Sequence, residues 1–159
     1  MIKKISFITS AKLNSEVHTR AAFFASAFQG AGVKVNFIKS PKFFCLFIHI
    51  IRVFRLLLGT KTVMAFNPTR ALVFALAIKK MLGGKIIIDI WDIRNHFVKR
   101  TSLGFSILKT AWKVTYPSEN VALLIRMLYK EIDTKKLIYL PTGTNGLELL
   151  SGEHGISSM

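Results

Sequence analysis

Acidic residues are scarce in this chain. Of its 159 residues only eight are Asp or Glu, against 23 Lys or Arg, for a formal charge of +15. Cysteine is nearly absent. Cys45 stands alone, which excludes an intrachain disulfide framework and a cysteine-clustered zinc site. The four histidines are far apart and none falls in a HExxH or similar spacing. No GxGxxG follows the first apolar run and no GxxxxGK(S/T) occurs, so the phosphate loops of dinucleotide-binding and P-loop proteins are missing. Long apolar runs are missing too. Residues 43–58 come nearest, but His49, Arg52 and Arg55 interrupt them, and a membrane span needs about 20 apolar residues with few charges. The apolar run at the N-terminus, residues 5–8, is too short for a signal peptide and reads as a first buried strand.

What is present is a globular composition, 51% hydrophobic and 19% charged, in a length that suits one domain. The basic excess is one-sided. Residues 1–88 carry 14 Lys or Arg against the single acid Glu16, while residues 89–159 carry nine against seven. Such a field attracts anions, whether nucleic acid, phosphorylated ligands or an anionic membrane. No zinc finger or RNP-like aromatic strand accompanies it, so nucleic acid is not the expected partner. At helical spacing His49, Arg52 and Arg55 share one side of residues 43–58. The broad apolar remainder fits a helix packed on a sheet or lying in a membrane interface, and Lys39, Lys42 and Lys61 flank it.

Strand and helix patterns alternate along the chain. Strands are predicted at residues 4–9, 33–38, 62–66, 85–90, 114–116 and 137–140. Helices are predicted at 16–29, between Pro41 and Gly59, from Pro68 to residue 82, at 103–112 and at 118–129, with Ser118 as a cap. A polar loop is expected between the fourth strand and the helix at 103. This alternation means βαβ units: an α/β fold, a mostly parallel Rossmann-like sheet of about six strands with helices on both faces. The domain is expected to cover residues 1–150, with 151–159 a frayed tail. Ligands of such sheets bind beyond the carboxyl ends of the strands. That places residues 10–15, 66–69, 91–96 and 141–145 at the candidate site.

Three segments carry a family resemblance. They are KISFITS followed by HTRAAFFASAFQGAGVKVNFI, then KIIIDIWDI, then VTYPSENVALLI with KLIYLPTGTN. In this order and at these spacings the chain resembles the N-terminal, acceptor-side domain of GT-B glycosyltransferases, in particular family 4, over nearly its whole length. The family often has a glycine pair after strand one, where this chain has Ala11-Lys12-Leu13-Asn14-Ser15. Its Asn-Gly-Val-Asp junction appears here as Thr142-Gly143-Thr144-Asn145. The resemblance implies one half of a GT-B fold, without the donor-binding C-terminal domain. The implied activity is hexosyl transfer from a nucleotide-sugar to an acceptor, incomplete in this chain alone. A truncated non-catalytic remnant, a subunit of a split transferase and a polyanion-binding domain stand as alternatives.

On this reading Asp92 is the catalytic candidate, a carboxylate able to orient an acceptor hydroxyl. Asn14, Ser15, His18, Asn67, Trp91, Arg94, Asn95, Thr142 and Gly143 are the substrate-binding candidates, with Trp91 able to stack on a sugar ring. Asp89 lies nearer the strand interior and reads as structural, and His96 reads as a solvated loop residue. No cofactor or metal is implied, the nucleotide-sugar being a co-substrate held mainly by a missing domain or partner. The expected partners are a donor-domain chain, a sugar or lipid-linked acceptor and an anionic membrane surface. The expected location is cytoplasmic, peripheral on the membrane's cytoplasmic face.

Overall fold

The computed structural model describes residues 2–9, 16–38, 46–92, 95–99, 101–128 and 130–140. Along them run β1 (Lys4–Thr9), α1 (Glu16–Gly30), β2 (Lys34–Ile38), α2 (Leu46–Leu58), β3 (Thr62–Phe66) and α3 (Arg70–Met81). There follow β4 (Lys85–Asp89), α4 (Asn95–Val98), α5 (Leu103–Thr110), β5 (Lys113–Tyr116), α6 (Glu119–Leu128), a 3-10 turn (Thr134–Lys136) and β6 (Leu137–Tyr139). The strands form one six-stranded sheet in the order β2-β1-β3-β4-β5-β6, and every neighbouring pair is parallel.

The order has one reversal. The chain steps outward from β1 to β2, then returns past β1 to β3 and continues in that direction. Right-handed crossovers therefore put α1 on one face and the later helices on the other. The core divides accordingly. Ala21, Phe24, Ala25 and Phe28 of α1 pack with Ile5, Phe7, Met64, Phe66 and Ile87. Leu56 of α2, Leu72, Val73, Ala75 and Leu76 of α3, Leu108 of α5 and Ile125 of α6 pack with Ile8, Val63, Ala65, Ile86, Ile88 and Val114. The Ile86-Ile87-Ile88 run needs both faces, since alternate residues enter opposite clusters.

Local chemistry sets the boundaries. Basic Lys79 and Lys80 occupy the last turn of α3, where they offset the helix dipole. Gly83 follows at φ +78°, a conformation that disfavours any side chain, and its N–H reaches the Lys80 carbonyl. Lys79 is itself buried, and its Nζ donates to the Leu57 carbonyl at 2.8 Å, tying α3 to the end of α2.

Several predicted boundaries move. Pro68 does not open α3: Thr69 is its N-cap and Arg70 its first residue. The helix predicted at 103–112 stops at Thr110, because the Trp112 N–H already bonds to the Ile86 carbonyl in the sheet. For the same reason β5 begins one residue early, at Lys113. Val33 belongs to the exit from α1, its N–H bonding to the Phe28 carbonyl, so β2 begins at Lys34. The polar loop after β4 contains α4, which was not predicted. The Ser118 cap is present, its Oγ accepting from the Val121 N–H at 3.4 Å. Pro41 and the tail at 151–159 lie outside the described residues. Among the described residues no helix is long and apolar enough to cross a membrane.

Candidate functional site

The carboxyl edge of the sheet is organised by one buried ion pair. Asp89, the last residue of β4, is fully buried and Arg20 of α1 is 5% exposed. Arg20 Nε donates to Oδ2 and Nη2 to Oδ1 of Asp89, each at 3.0 Å, a bidentate fork. Nη2 also donates to the Leu140 carbonyl at 2.8 Å. The Thr115 hydroxyl donates to Asp89 Oδ1 at 2.6 Å. Four segments thus meet at one carboxylate and one guanidinium: α1, the ends of β4 and β5, and the residue after β6.

Position in sequence explains why. Arg20 falls on the buried stripe of α1 with Ala21, Phe24, Ala25 and Phe28, so its charge must enter the protein. Asp89 is the acid that follows the Ile86-Ile87-Ile88 run of β4 and faces α1, because alternate residues Ile87 and Asp89 share that face. Two buried charges in reach of each other pair, since either alone would be left unsolvated. Arg20 was not among the predicted site residues. The sequence carried half of the signal, an arginine on the apolar stripe of a helix and an acid at the end of a buried strand; that the two face each other only the fold shows.

The predicted residues distribute around this pair. Trp91 is half-buried two residues beyond Asp89, and the Arg20 guanidinium lies 5.6 Å from its ring centroid on one side and 4.8 Å from that of Phe24. Asp92 follows, exposed. Asn67 lies just beyond the neighbouring strand β3. It is buried, sits at φ +43°, and donates its backbone N–H to the Asp89 carbonyl at 2.8 Å. Asparagine is one of the few residues that tolerate that conformation. Asn67, Trp91 and Asp92 are therefore brought to one edge, over two adjacent strands. His18 falls in α1 and Asn95 opens α4. Asn14, Ser15, Arg94, Thr142 and Gly143 lie outside the described residues.

His96 is not a solvated loop residue. It belongs to α4, half-buried, with Nε2 2.9 Å from the Pro68 carbonyl and its ring 4.3 Å from that of Phe97. It borders an open cleft of about 240 Å³ between the start of α3 and α5, where Arg70, Lys99 and Ser102 also line the wall. Ser102 is committed locally: its Oγ accepts from the Phe105 N–H at 3.1 Å and donates to the His96 carbonyl.

Two titratable groups are displaced from their ordinary values. Burial lowers the Lys79 ammonium below 10.5. Burial raises the Tyr116 phenol above 10.0, and the nearby Glu119 carboxylate adds to the rise. Lys79 lies in α3, away from the Asp89 carboxylate, whereas Tyr116 ends β5 at the carboxyl edge one residue past Thr115, with its side chain in the core cluster of the opposite face. Among the described residues no group of three or more His, Cys, Asp and Glu side chains is placed to hold a metal ion.

The edge offers an aromatic ring held against a cation, an exposed carboxylate beside it, and a constrained turn one strand away. This set can stack on an apolar ring face and accept hydrogen bonds from hydroxyls. No protein-family model matches the chain, and no curated protein matches it significantly.

Proposed function

We propose that this chain is the acceptor-side unit of a nucleotide-sugar-dependent hexosyltransferase of the GT-B type. The observation that carries the reading is the placement of Trp91 and Asp92 directly after the anchored Asp89, at the carboxyl end of a central parallel strand. Parallel α/β sheets bind ligands at that end, at the point where strand order reverses. Here the reversal lies between β1 and β3, and Asn67 stands at its rim. The order of segments that resembles family 4 supports the same reading.

In this scheme Trp91 stacks on the acceptor and Asp92 accepts the proton of the attacking hydroxyl. The hydroxyl oxygen forms the new bond to the anomeric carbon as the bond to the nucleotide diphosphate breaks. Arg20 does not touch the reactants. It holds Trp91 and the β4 terminus in place from behind. The diphosphate needs cationic and backbone N–H groups of a donor-binding domain or partner chain.

The test is a thermal-shift titration of the purified chain with nucleotide-sugars and sugar acceptors, with donor hydrolysis assayed in the same samples. A bound acceptor raises the transition by mass action. The expected result is a shift with an acceptor that Trp91→Ala abolishes, whereas Asp92→Asn keeps most of the shift and removes any turnover. No shift with any sugar, or a shift indifferent to Trp91→Ala, would overturn the reading.

A further inference from the structure

We propose that the outer face of α2 and α3 docks on an anionic lipid surface. The inference rests on no sugar chemistry and stands apart from the transferase reading.

The two helices pack side by side on the same face of the sheet. Their inner sides supply the core through Leu56 of α2 and Leu72, Val73, Ala75 and Leu76 of α3. Their outer sides are also apolar. On α2, Ile51, Phe54 and Leu58 recur at spacings of three and four, with Phe54 58% and Leu58 81% exposed. On α3, Phe74 and Met81 lie two turns apart at 62% and 86%, and Leu82 follows at 68%. These side chains contribute little to the core beneath them. Large apolar groups gathered on one outer surface mark an interaction site.

Charge selects the occupant. Residues 46–85 contain Arg52, Arg55, Lys61, Arg70, Lys79, Lys80 and Lys85 and not one Asp or Glu, with Lys79 buried against the Leu57 carbonyl and Lys85 over the Trp112 ring. Arg55 in α2, Lys61 just after it and Arg70 at the start of α3 are exposed, Arg70 also lining the cleft towards α5. A second copy of this face would bring like charges together. A duplex would satisfy the cations but has no apolar phase to receive Leu58 and Met81. A domain that completes the candidate site would approach the carboxyl edge of the sheet rather than the outer side of the helices. An anionic bilayer satisfies both components at once, its headgroups taking the cations and its acyl boundary the Phe, Leu and Met side chains. α2 has 13 residues and does not span, so it would lie in the plane of the interface.

The experiment is flotation of the full chain with vesicles of phosphatidylcholine alone or mixed with phosphatidylglycerol, at low and high salt. The expected result is binding to the mixed vesicles at low salt, weakened at least about tenfold by the double substitution Phe54→Ser/Phe74→Ser. Arg55→Glu/Lys61→Glu should weaken it too. The control Lys130→Glu/Lys135→Glu, which changes the charge equally away from the face, should weaken it less. A separate reporter, Phe54→Trp, should be quenched by brominated acyl chains beyond the signal of Trp91 and Trp112, and it decides the matter if the serine variant fails to fold. The proposal is overturned by no flotation at low salt, or by flotation that the serine pair leaves unchanged, which is charge alone. It is equally overturned if the serine pair abolishes self-association or duplex binding while the chain ignores vesicles.

Discussion

At the scale of single residues, the strongest determinant is the Arg20–Asp89 pair. Its energetic logic is asymmetric: a buried pair adds little net stability over an apolar substitute, but removing one partner strands the other. Asp89→Ala is therefore expected to destabilise the chain by about 3–5 kcal/mol, read from urea denaturation. The double variant Arg20→Met/Asp89→Leu should recover a large part of that loss. Equal losses in the single and double variants would mean that the pair acts through packing alone. Lys79 gives a second test. Its folded pKa is lowered, so between that value and 10.5 the unfolded chain binds more protons and stability rises with pH. Lys79→Met should flatten this rise when denaturation midpoints of both proteins are compared below pH 10. Above that the raised Tyr116 phenol acts in the opposite sense, its contribution being lost as pH climbs through its folded value.

At the scale of elements, caps and close approaches decide where helices begin and how they meet. Ser102 joins α4 to α5, capping α5 through Oγ while its hydroxyl donates to the His96 carbonyl. Ser102→Ala should cost about 0.5–2 kcal/mol in a thermal or urea melt, the range for a lost N-cap. Gly104 completes the same junction, since a Cβ there would collide with the His96 carbonyl. Most elements were legible from pattern, because apolar periods of two and 3.6 reflect burial that the finished sheet requires. α4 was not. Its four residues, Asn95-His96-Phe97-Val98, carry no periodic signal, and among its described side chains Phe97 alone is fully buried. The end of α5 was equally hidden, because the competing bond from Trp112 to Ile86 connects residues far apart in the chain.

At the scale of the whole molecule, the uneven charge has consequences of its own. A formal charge of +15 strains the compact state by self-repulsion, most of it within residues 1–88. Salt shortens the Debye length from about 30 Å at 0.01 M to about 8 Å at 0.15 M. The thermal midpoint is expected to rise over that range of sodium chloride, followed by circular dichroism. A midpoint that falls would mean that attractive pairs outweigh the repulsion. Among described residues the surface pair Lys109–Glu131 is one such attraction, and its exposure makes it a weak one.

Composition and periodicity were enough to establish an α/β chain with a parallel sheet, because short apolar strand runs alternating with helical patterns call for βαβ units. The same reading put Trp91, Asp92 and Asn67 at strand ends, since a turn follows each run. What required the tertiary structure was partnership. That Arg20 reaches Asp89 across 69 positions, with Thr115 and the Leu140 carbonyl completing the set, depends on the order in which strands lie side by side. The outward turn of Phe54, Leu58, Phe74 and Met81 depends on which side of each helix the sheet claims. Local patterns record how much of a segment is buried. They do not record against what, and that choice is made only when distant segments compete for the same surface.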